Sequence, residues 1–511
     1  MNKFNELSYI RPDYKQEKEN LLKYKNMILN ASSYADVRKS WLSMKEAMQY
    51  LEYIEETAFI RYLCGISNDF YKEEVRIHNI EDPQIAVLQN ECDKLLLNSS
   101  YINEFRLEFG DKIINQLSNN IMLSDTQTIT LQAEESQLRS EYMSLLPANQ
   151  RTEEFSNKLY DILDKLIKVR TEIVRTLGYK NYIEMAYRIH GRFDYGEKEI
   201  ATFRTQMQKL ITPACNELRK SDMIKYPDTI IKDTDELIAA IKDMFTDISM
   251  ESGYYIDNIF DHELFDIADR PNKRQNNFCC CMLPYIKSPF IIGCYHGNSL
   301  EANYLIHELG HGYAFYTAAR SQKLYEYHHA TTSINEIHSK TMEHFAYPYL
   351  DRFLGNQKNT YIRNHLFHSF DNLPYRCAID EFEHAIYDDI NLSRTQRCEL
   401  WAEIENKYMP WRESDLEAIK RGTYWPNQSH LFTHPFYYIE YNIAQISVFE
   451  FYERSKHDFG QTWKDYANLC RTGGSMEYLN LLKVGNLSNP FSPGTVTNIC
   501  KPILDELFSL M

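Results

Sequence analysis

The chain has little that would hold it in a membrane or on a nucleic acid. Its apolar runs all fall short of the roughly 20 residues that cross a bilayer. Residues 1–20 are polar and lack the apolar segment of a signal peptide. Positive charge is the minority sign, with 56 Lys and Arg against 72 Asp and Glu and a formal net charge of −16. Because a negative field repels phosphates and anionic lipids, we expect neither nucleic acid nor membrane as a partner.

The sequence also lacks a disulfide pattern. It has 11 cysteines, an odd number, and no C-x-x-C pair, although Cys279, Cys280 and Cys281 are consecutive. Such a set is typical of free thiols in a reducing compartment. We therefore predict a cytoplasmic location.

Helical patterns dominate the sequence. Glycine and proline are scarce, 17 and 16 in 511 residues, and residues 1–195 show one amphipathic segment after another. The clearest runs from Glu153 to Leu177 and is followed by Gly178, which suits the left-handed end of a helix. A short apolar run, Phe290–Tyr295, predicts a buried strand. A chain of this length is expected to form two lobes, so we predict a mainly α fold with a small sheet.

One short motif points to chemistry. His307, Glu308 and His311 form the pattern H-E-x-x-H. Residues four apart lie on one face of a helix, so both imidazoles can bind one metal ion, with Glu308 beside the open coordination position. Zinc accepts this ligand set and leaves one position for a water, which the glutamate can deprotonate. The alternative is a helix with two surface histidines, but the flanking residues are apolar and Gly310 is costly in mid-helix.

The third metal ligand has to come from further along the chain. A histidine six residues after His311 would complete another zinc pattern, but that position is Thr317. The candidates are therefore Glu326, Glu336 and Glu343. The last two are two helical turns apart on one face, so one can bind metal while the other orients an imidazole. A structural role for Glu336 is the alternative, because the serine three residues before it completes a capping-box pattern.

These residues resemble the M3 family of zinc peptidases, the group of thimet oligopeptidase and oligoendopeptidase F. That family has H-E-x-G-H and then E-x-x-S-x-x-x-E. Here Glu336 follows His307 by 29 residues, as in the family, with Ser339 and Glu343 in register. The resemblance implies one Zn²⁺ per chain, bound by the two histidines and Glu336, with Glu343 orienting a ligand from behind. Many members have a histidine where this chain has Ala314. That histidine is also missing from a shorter branch of oligoendopeptidases, which this chain resembles.

The segment H-L-F-T-H-P-F-Y-Y-I-E-Y near the C-terminus is similar to the family's third marker, H…P-F-Y-x-x-x-Y. By spacing alone, Tyr437 and Tyr441 are an aromatic pair on one helix face, which is more often core than catalytic. The resemblance instead implies that Tyr441 donates to the oxyanion, with His430 beside it in catalysis. It implies that Tyr437 contacts substrate, with Tyr438 and His434 as further candidates for substrate binding.

The resemblance also implies an architecture and an activity. The expected fold has two helical lobes around a deep channel with the zinc at its floor, divided into an N-terminal lobe, 1–195, and a catalytic domain, 196–511. A segment within the second part, Tyr375–Glu383, resembles an F-E stretch of the family, and we expect its acidic residues to be structural. The expected reaction is hydrolysis of internal bonds in short peptides, with Glu308 as the general base.

Two alternatives stay open. A metallocarboxypeptidase of a related H-E-x-x-H helical fold would need a cation for the substrate carboxylate, which no motif locates. A non-catalytic peptide-binding protein could keep the fold, but it would have no need of Glu308. The oligomeric state is left open.

Overall fold

Helices make up most of the protein. The computed structural model describes residues 3–146, 153–220, 226–227, 229–231, 233–275, 278–412 and 425–510. The helices in these ranges are α1 (Tyr14–Leu29), α2 (Tyr34–Cys64), α3 (Asp69–Leu97), α4 (Ile102–Phe109), α5 (Asp111–Leu123), α6 (Ile129–Leu145), α7 (Glu153–Leu177), α8 (Tyr182–Ile189), α9 (Glu197–Leu218), α10 (Thr234–Ile248), α11 (Met250–Asp261), α12 (Ser299–Ser321), α13 (Thr332–Phe345), α14 (Asp351–Leu354), α15 (Lys358–Asp371), α16 (Leu373–Asp388), α17 (Arg394–Tyr408), α18 (Ser429–Thr433), α19 (Glu440–His457), α20 (Phe459–Thr472), α21 (Tyr478–Val484) and α22 (Thr495–Leu510). None of those helices is long and apolar enough to cross a bilayer.

Three strands form a small sheet, β1 (Phe265–Ala268), β2 (Cys279–Leu283) and β3 (Ser288–Tyr295). β3 is the central strand, parallel to β1 and antiparallel to β2. It is buried at every position, as its run of apolar residues predicts for a strand covered on both faces. The prediction of a mainly α fold with a small sheet is confirmed.

The chain divides into two compact units, each built from three segments. The first unit contains Met1–Ile121, Ile224–Asn364 and Phe451–Leu487, and the second contains Met122–Met223, His365–Glu450 and Ser488–Met511. The predicted domain boundary at residue 195 lies inside the second unit. The division of the sequence into two domains, 1–195 and 196–511, stays a prediction.

Local sequence signals account for several helix ends. α7 has the bounds that its apolar periodicity predicts, and Gly178 after it has a φ of +77°. That left-handed conformation carries no steric cost for glycine. At the start of α12, the Asn298 side chain accepts a hydrogen bond of 2.9 Å from the Glu301 backbone N–H. The first turn is therefore capped by an asparagine.

In the first unit, α12 lies against both β3 and α13. Its residues Leu305, Ile306 and Leu309 are buried, as the apolar flanks of the H-E-x-x-H motif predict. The two histidines on this helix are half-buried, with side chains 19% and 18% exposed.

Candidate metal centre and active site

A glycine allows α12 and α13 to approach closely. A Cβ atom added to Gly310 would lie 2.8 Å from Ser339 Cα and 2.9 Å from Met342 Cβ, both on α13. Carbon atoms normally stay about 3.5–4.0 Å apart, so only glycine fits here without moving the helices. The cost of glycine in mid-helix is therefore offset by a close helix crossing.

This crossing brings three metal-binding side chains together. His307 Nε2 lies 3.9 Å from Glu336 Oε2, and His311 Nε2 lies 3.8 Å from Glu336 Oε1. One ligand atom from each residue lies within 4.8 Å of the others. Two imidazole nitrogens and a carboxylate oxygen form the donor set of catalytic zinc sites. The structure thus brings together the three residues predicted to bind metal.

Glu343 fixes the orientation of one of the histidines. His307 Nδ1 donates a hydrogen bond of 2.6 Å to Glu343 Oε1, while Glu343 Oε2 accepts one of 2.8 Å from Asn303. With its Nδ1 carrying the proton, the imidazole can offer only Nε2 to a metal ion. This geometry matches the role predicted for Glu343, which is to orient a metal-binding imidazole. Asn303 belongs to no motif and is not among the residues predicted from the sequence.

The charges around the histidines attract a cation. Burial works to lower the pKa of His307, but the hydrogen bond to Glu343 and the charges of Glu343 and Glu336 outweigh it and raise that pKa to about 9. Burial, followed by the charge of His307, lowers the pKa of His311. Glu336 is only 7% exposed, and its Oε2 has no hydrogen-bond partner among the described residues. A metal ion would satisfy that oxygen, so these residues fit the zinc that the motif implies.

Glu308 is not one of the three metal-binding residues, but it directly follows His307 in the sequence. Burial is the main cause that raises its pKa to about 7, and the nearby backbone N–H of Cys280 on β2 works in the opposite direction. The sheet therefore places a hydrogen-bond donor beside the predicted base. This arrangement suits a glutamate that exchanges a proton near neutral pH.

Glu326 has a different role. It forms an ion pair of 3.0 Å with Lys45, whose ammonium also lies 3.1 Å from Asp93. All three side chains are buried, and Trp41 donates a hydrogen bond of 2.6 Å to the same aspartate. Glu326 is thus committed to a structural ion pair within the first unit.

The capping-box interpretation of Glu336 is wrong. α13 begins at Thr332 with Thr331 as its N-cap, and that cap makes no side-chain hydrogen bond. Ser333 is inside the helix and fully buried. Glu336 therefore lies two residues further along the helix than a capping box requires.

The second unit gathers the predicted histidine and tyrosines into one aromatic cluster. The hydroxyl groups of Tyr437 and Tyr441 lie 3.2 Å apart. The His430 ring stacks at 4.5 Å on Tyr438 and at 5.7 Å on Tyr437, measured between ring centres. His434 lies at the side of this group, 6.1 Å from the Tyr437 ring. Hydroxyl and imidazole groups are thus concentrated at one place in this unit.

Buried cations hold the backbone that carries these tyrosines. Phe436 has a φ of +65°, a strained conformation for a residue with a side chain. Arg192 donates hydrogen bonds of 2.5 Å to the Phe436 carbonyl and 2.6 Å to Glu440. Arg170 donates one of 2.5 Å to the carbonyl of Phe432, and His190 Nε2 lies 2.8 Å from the Pro435 carbonyl. The turn before α19 is therefore fixed by side chains from α7 and from the segment after α8.

The acidic residues of α16 have structural surroundings. Asp380 is fully buried and pairs with Arg204 at 2.5 Å. Glu383 is also fully buried, and burial raises its pKa well above the usual range. These contacts suit the structural role expected for the segment Tyr375–Glu383.

A helix with H-E-x-x-H that packs on a second, glutamate-bearing helix defines a class, the metallopeptidases. Sequence profiles give the particular group. The profile described as Peptidase M3 N-terminal domain matches residues 4–124, and that described as Peptidase family M3 matches residues 255–494. The chain belongs to peptidase family M3. A comparison with curated protein sequences gave no match.

Solved structures share this fold over nearly the whole chain. One provisionally described as an oligoendopeptidase F has a TM-score of 0.87 and 28% identity, covering 100% of this chain and 99% of that chain. PZ peptidase A, solved with an inhibitor, gives a TM-score of 0.87 and 28% identity, covering 99% of both chains. A protein from Bacillus anthracis, also provisionally described as an oligoendopeptidase F, gives 0.83 and 25%, covering 100% of this chain and 99% of that chain. The predicted family and fold are confirmed.

Proposed function

We propose that the protein is a zinc-dependent endopeptidase that hydrolyses internal bonds of short peptides. The observation that carries this proposal is the set of convergent ligand atoms on His307, His311 and Glu336, with Glu308 beside them and outside the ligand set. A site that only bound metal would not need a half-buried glutamate next to the open position. Membership of the M3 family supports peptide bonds as the target.

Glu308 is the proton carrier in this proposal. When bound, Zn²⁺ supplies Lewis acidity, which polarises a carbonyl and lowers the pKa of water. Glu308 takes a proton from the attacking water and passes it to the nitrogen of the leaving amine. Glu343 keeps the His307 imidazole in the tautomer that leaves Nε2 free for metal.

The other predicted site residues belong to the aromatic cluster of the second unit. We assign Tyr441 as donor to the negative charge that develops on the carbonyl oxygen, with His430 in a supporting catalytic role. Tyr437 contacts the substrate, and Tyr438 and His434 are further candidates for substrate binding. The proximity of these side chains within one cluster supports a shared role.

One experiment tests the proposal directly. Purified protein is analysed for metal, and products from a length series of peptides are identified by mass spectrometry. We expect about one zinc per chain and cleavage at internal bonds. Release of single residues from the C-terminus would instead establish the carboxypeptidase alternative.

The matched control is Glu308→Gln, which keeps the size of the side chain and removes the base. It should retain the zinc and lose activity by roughly 10²–10⁴-fold, the usual contribution of a general base. Full activity in this variant, or loss of its zinc, would contradict the role of Glu308.

The thiols bear on where the enzyme works. The 11 cysteines are all free in the structure, which fits a reducing compartment. We therefore propose a cytoplasmic location, and fractionation of cells that produce the protein tests it.

A further inference from the structure

Arg376, on α16, has positive charge with no anionic partner in the described part of the chain. Its Nε atom is buried and lacks a hydrogen-bond partner there. Its contacts are two aromatic rings, since its Cζ lies 5.4 Å from the ring centre of Tyr438 and 5.1 Å from that of Tyr441. Even partial removal of a guanidinium from water is costly when no anion is near. The arrangement therefore favours a bound anion.

The buried arginines that the structure describes in the same unit show the contrast, because each has a carboxylate. The pairs are Arg170–Glu135 (2.9 Å), Arg192–Glu440 (2.6 Å), Arg204–Asp380 (2.5 Å) and Arg397–Asp164 (2.6 Å). Arg376 is the half-buried arginine beside the aromatic cluster, and it departs from this pattern. The unit has acidic residues that pair with its buried arginines, so the lack of a described carboxylate near Arg376 follows from its position beside the aromatic cluster.

The side chains around Arg376 are neutral hydrogen-bonding groups. Burial, followed by the charges of His434 and Arg376, lowers the pKa of His430 to about 4, so this imidazole is neutral at pH 7. Gln428 lies 2.6 Å from His430 Nδ1 and accepts a hydrogen bond of 3.0 Å from Tyr375. Its amide N–H therefore points to Nδ1, which leaves the imidazole N–H on Nε2. The cluster offers one full positive charge together with neutral donors.

We propose that Arg376 binds a carboxylate of the peptide substrate. A guanidinium presents paired N–H groups that match the two oxygens of a carboxylate, and the tyrosine rings beside it hold its plane. The inference rests on the proposed function for the nature of the ligand, a peptide. Two sources offer the same chemistry, the C-terminal carboxylate and an Asp or Glu side chain.

The competing explanation is structural. Arg376 could stabilise the tyrosine rings by cation–π contact alone, with no role toward substrate. The two explanations differ in what the variant changes. A structural role predicts a loss of stability that is the same for every peptide, whereas a carboxylate site predicts a change that depends on the charge of the peptide.

The test measures binding without turnover, in the full-length, zinc-loaded Glu308→Gln protein. The probes are four versions of one octapeptide of Gly, Ala, Phe and Gln. The C-terminus is either free or amidated, and one internal position is either Gln or Glu. Isothermal titration calorimetry gives the Kd of each. We expect one carboxylate to improve binding by about 10- to 100-fold over its neutral counterpart, the range for a charge-assisted hydrogen bond. A preference for the free over the amidated C-terminus identifies the C-terminal carboxylate as the ligand, and a preference for Glu over Gln identifies a side-chain carboxylate.

Adding Arg376→Gln should bring that preference to within about twofold, and Arg376→Lys should retain only part of it because it lacks the paired donors. The control is Arg394→Gln, which removes the same charge from a partly exposed arginine paired with Asp161 and Asp164. It should leave the preference intact.

Equal Kd values for charged and neutral peptides in the Glu308→Gln protein would overturn the proposal, and so would an unchanged preference in the Arg376→Gln or the Arg376→Lys form. Should Arg376→Gln not fold, the lysine form decides. The measurement is separate from catalysis: a protein that cuts no peptide can still show the preference, and one that cuts peptides can lack it. Failure of the proposed function and failure of this inference are thus distinguishable.

Discussion

Replacing Gly310 by alanine should damage the metal site through the backbone of a second helix. The added methyl carbon would lie 2.8 Å from Ser339 Cα and 2.9 Å from Met342 Cβ. Both contacts fall short of normal carbon separations by about 1 Å. Because one of the obstructing atoms is main chain, a rotamer change cannot relieve the clash, and α13 has to move away from α12.

The magnitude follows from two opposing effects. Alanine in a helix interior gains about 1 kcal/mol over glycine, whereas overpacking costs about 1–3 kcal/mol. Folding stability should therefore fall by up to about 2 kcal/mol. Zinc binding should suffer more, because Glu336 moves with α13 and metal–ligand distances tolerate only about 0.2 Å. We expect zinc affinity to fall by at least the 10–100-fold that follows loss of a supporting partner.

The assay is chelator competition for zinc, together with thermal unfolding of the zinc-free protein. Gly253→Ala, on α11, is the matched control because its new methyl would lie 3.5 Å or more from other groups, an ordinary contact. That variant should keep wild-type zinc affinity and gain stability. If Gly310→Ala also gained stability and kept its zinc, the explanation of the glycine as a close helix contact would be refuted.

The remaining predictions concern single side chains. Glu336→Ala should lose zinc, while Glu326→Ala should keep it in the folded fraction and unfold more easily, because its partner Lys45 then loses one of its two carboxylates; zinc content and melting temperature measured on one sample separate the two outcomes. Glu343→Gln should weaken zinc binding by about 10–100-fold, and wild-type affinity in a chelator titration would contradict it. Tyr441→Phe should lower kcat and kcat/KM together by about 10²–10³-fold, whereas a raised KM with normal kcat would mean that it only binds substrate.

Much of the site was readable from local spacing. The four-residue interval of His307 and His311 places both on one helix face in any α-helix, and the structure has them there. The seven-residue interval from Glu336 to Glu343 likewise predicted that one of the two would bind the metal and the other would orient a metal-binding imidazole. The same periodicity predicted α7 within its observed bounds.

Other features could not be read in this way because they depend on partners distant in sequence. Glu326 and Glu336 are both glutamates downstream of the motif, and apart from the family resemblance nothing in their local sequence shows that Glu326 pairs with Lys45 on α2. Ser333 has the spacing of a capping residue, but α13 begins before it. Asn303 is one polar residue among many on α12 until its hydrogen bond to Glu343 is seen.

By itself, the sequence determined the helices, the helix face that carries the two histidines and the family, because those depend on intervals of a few residues or on motifs in fixed order. The tertiary structure decided what Glu326 binds, why residue 310 is glycine and why Arg376 differs from the other arginines. Burial and pairing are properties of the three-dimensional surroundings. A side chain's charge acquires a function only when packing decides whether its partner comes from the chain or from a ligand.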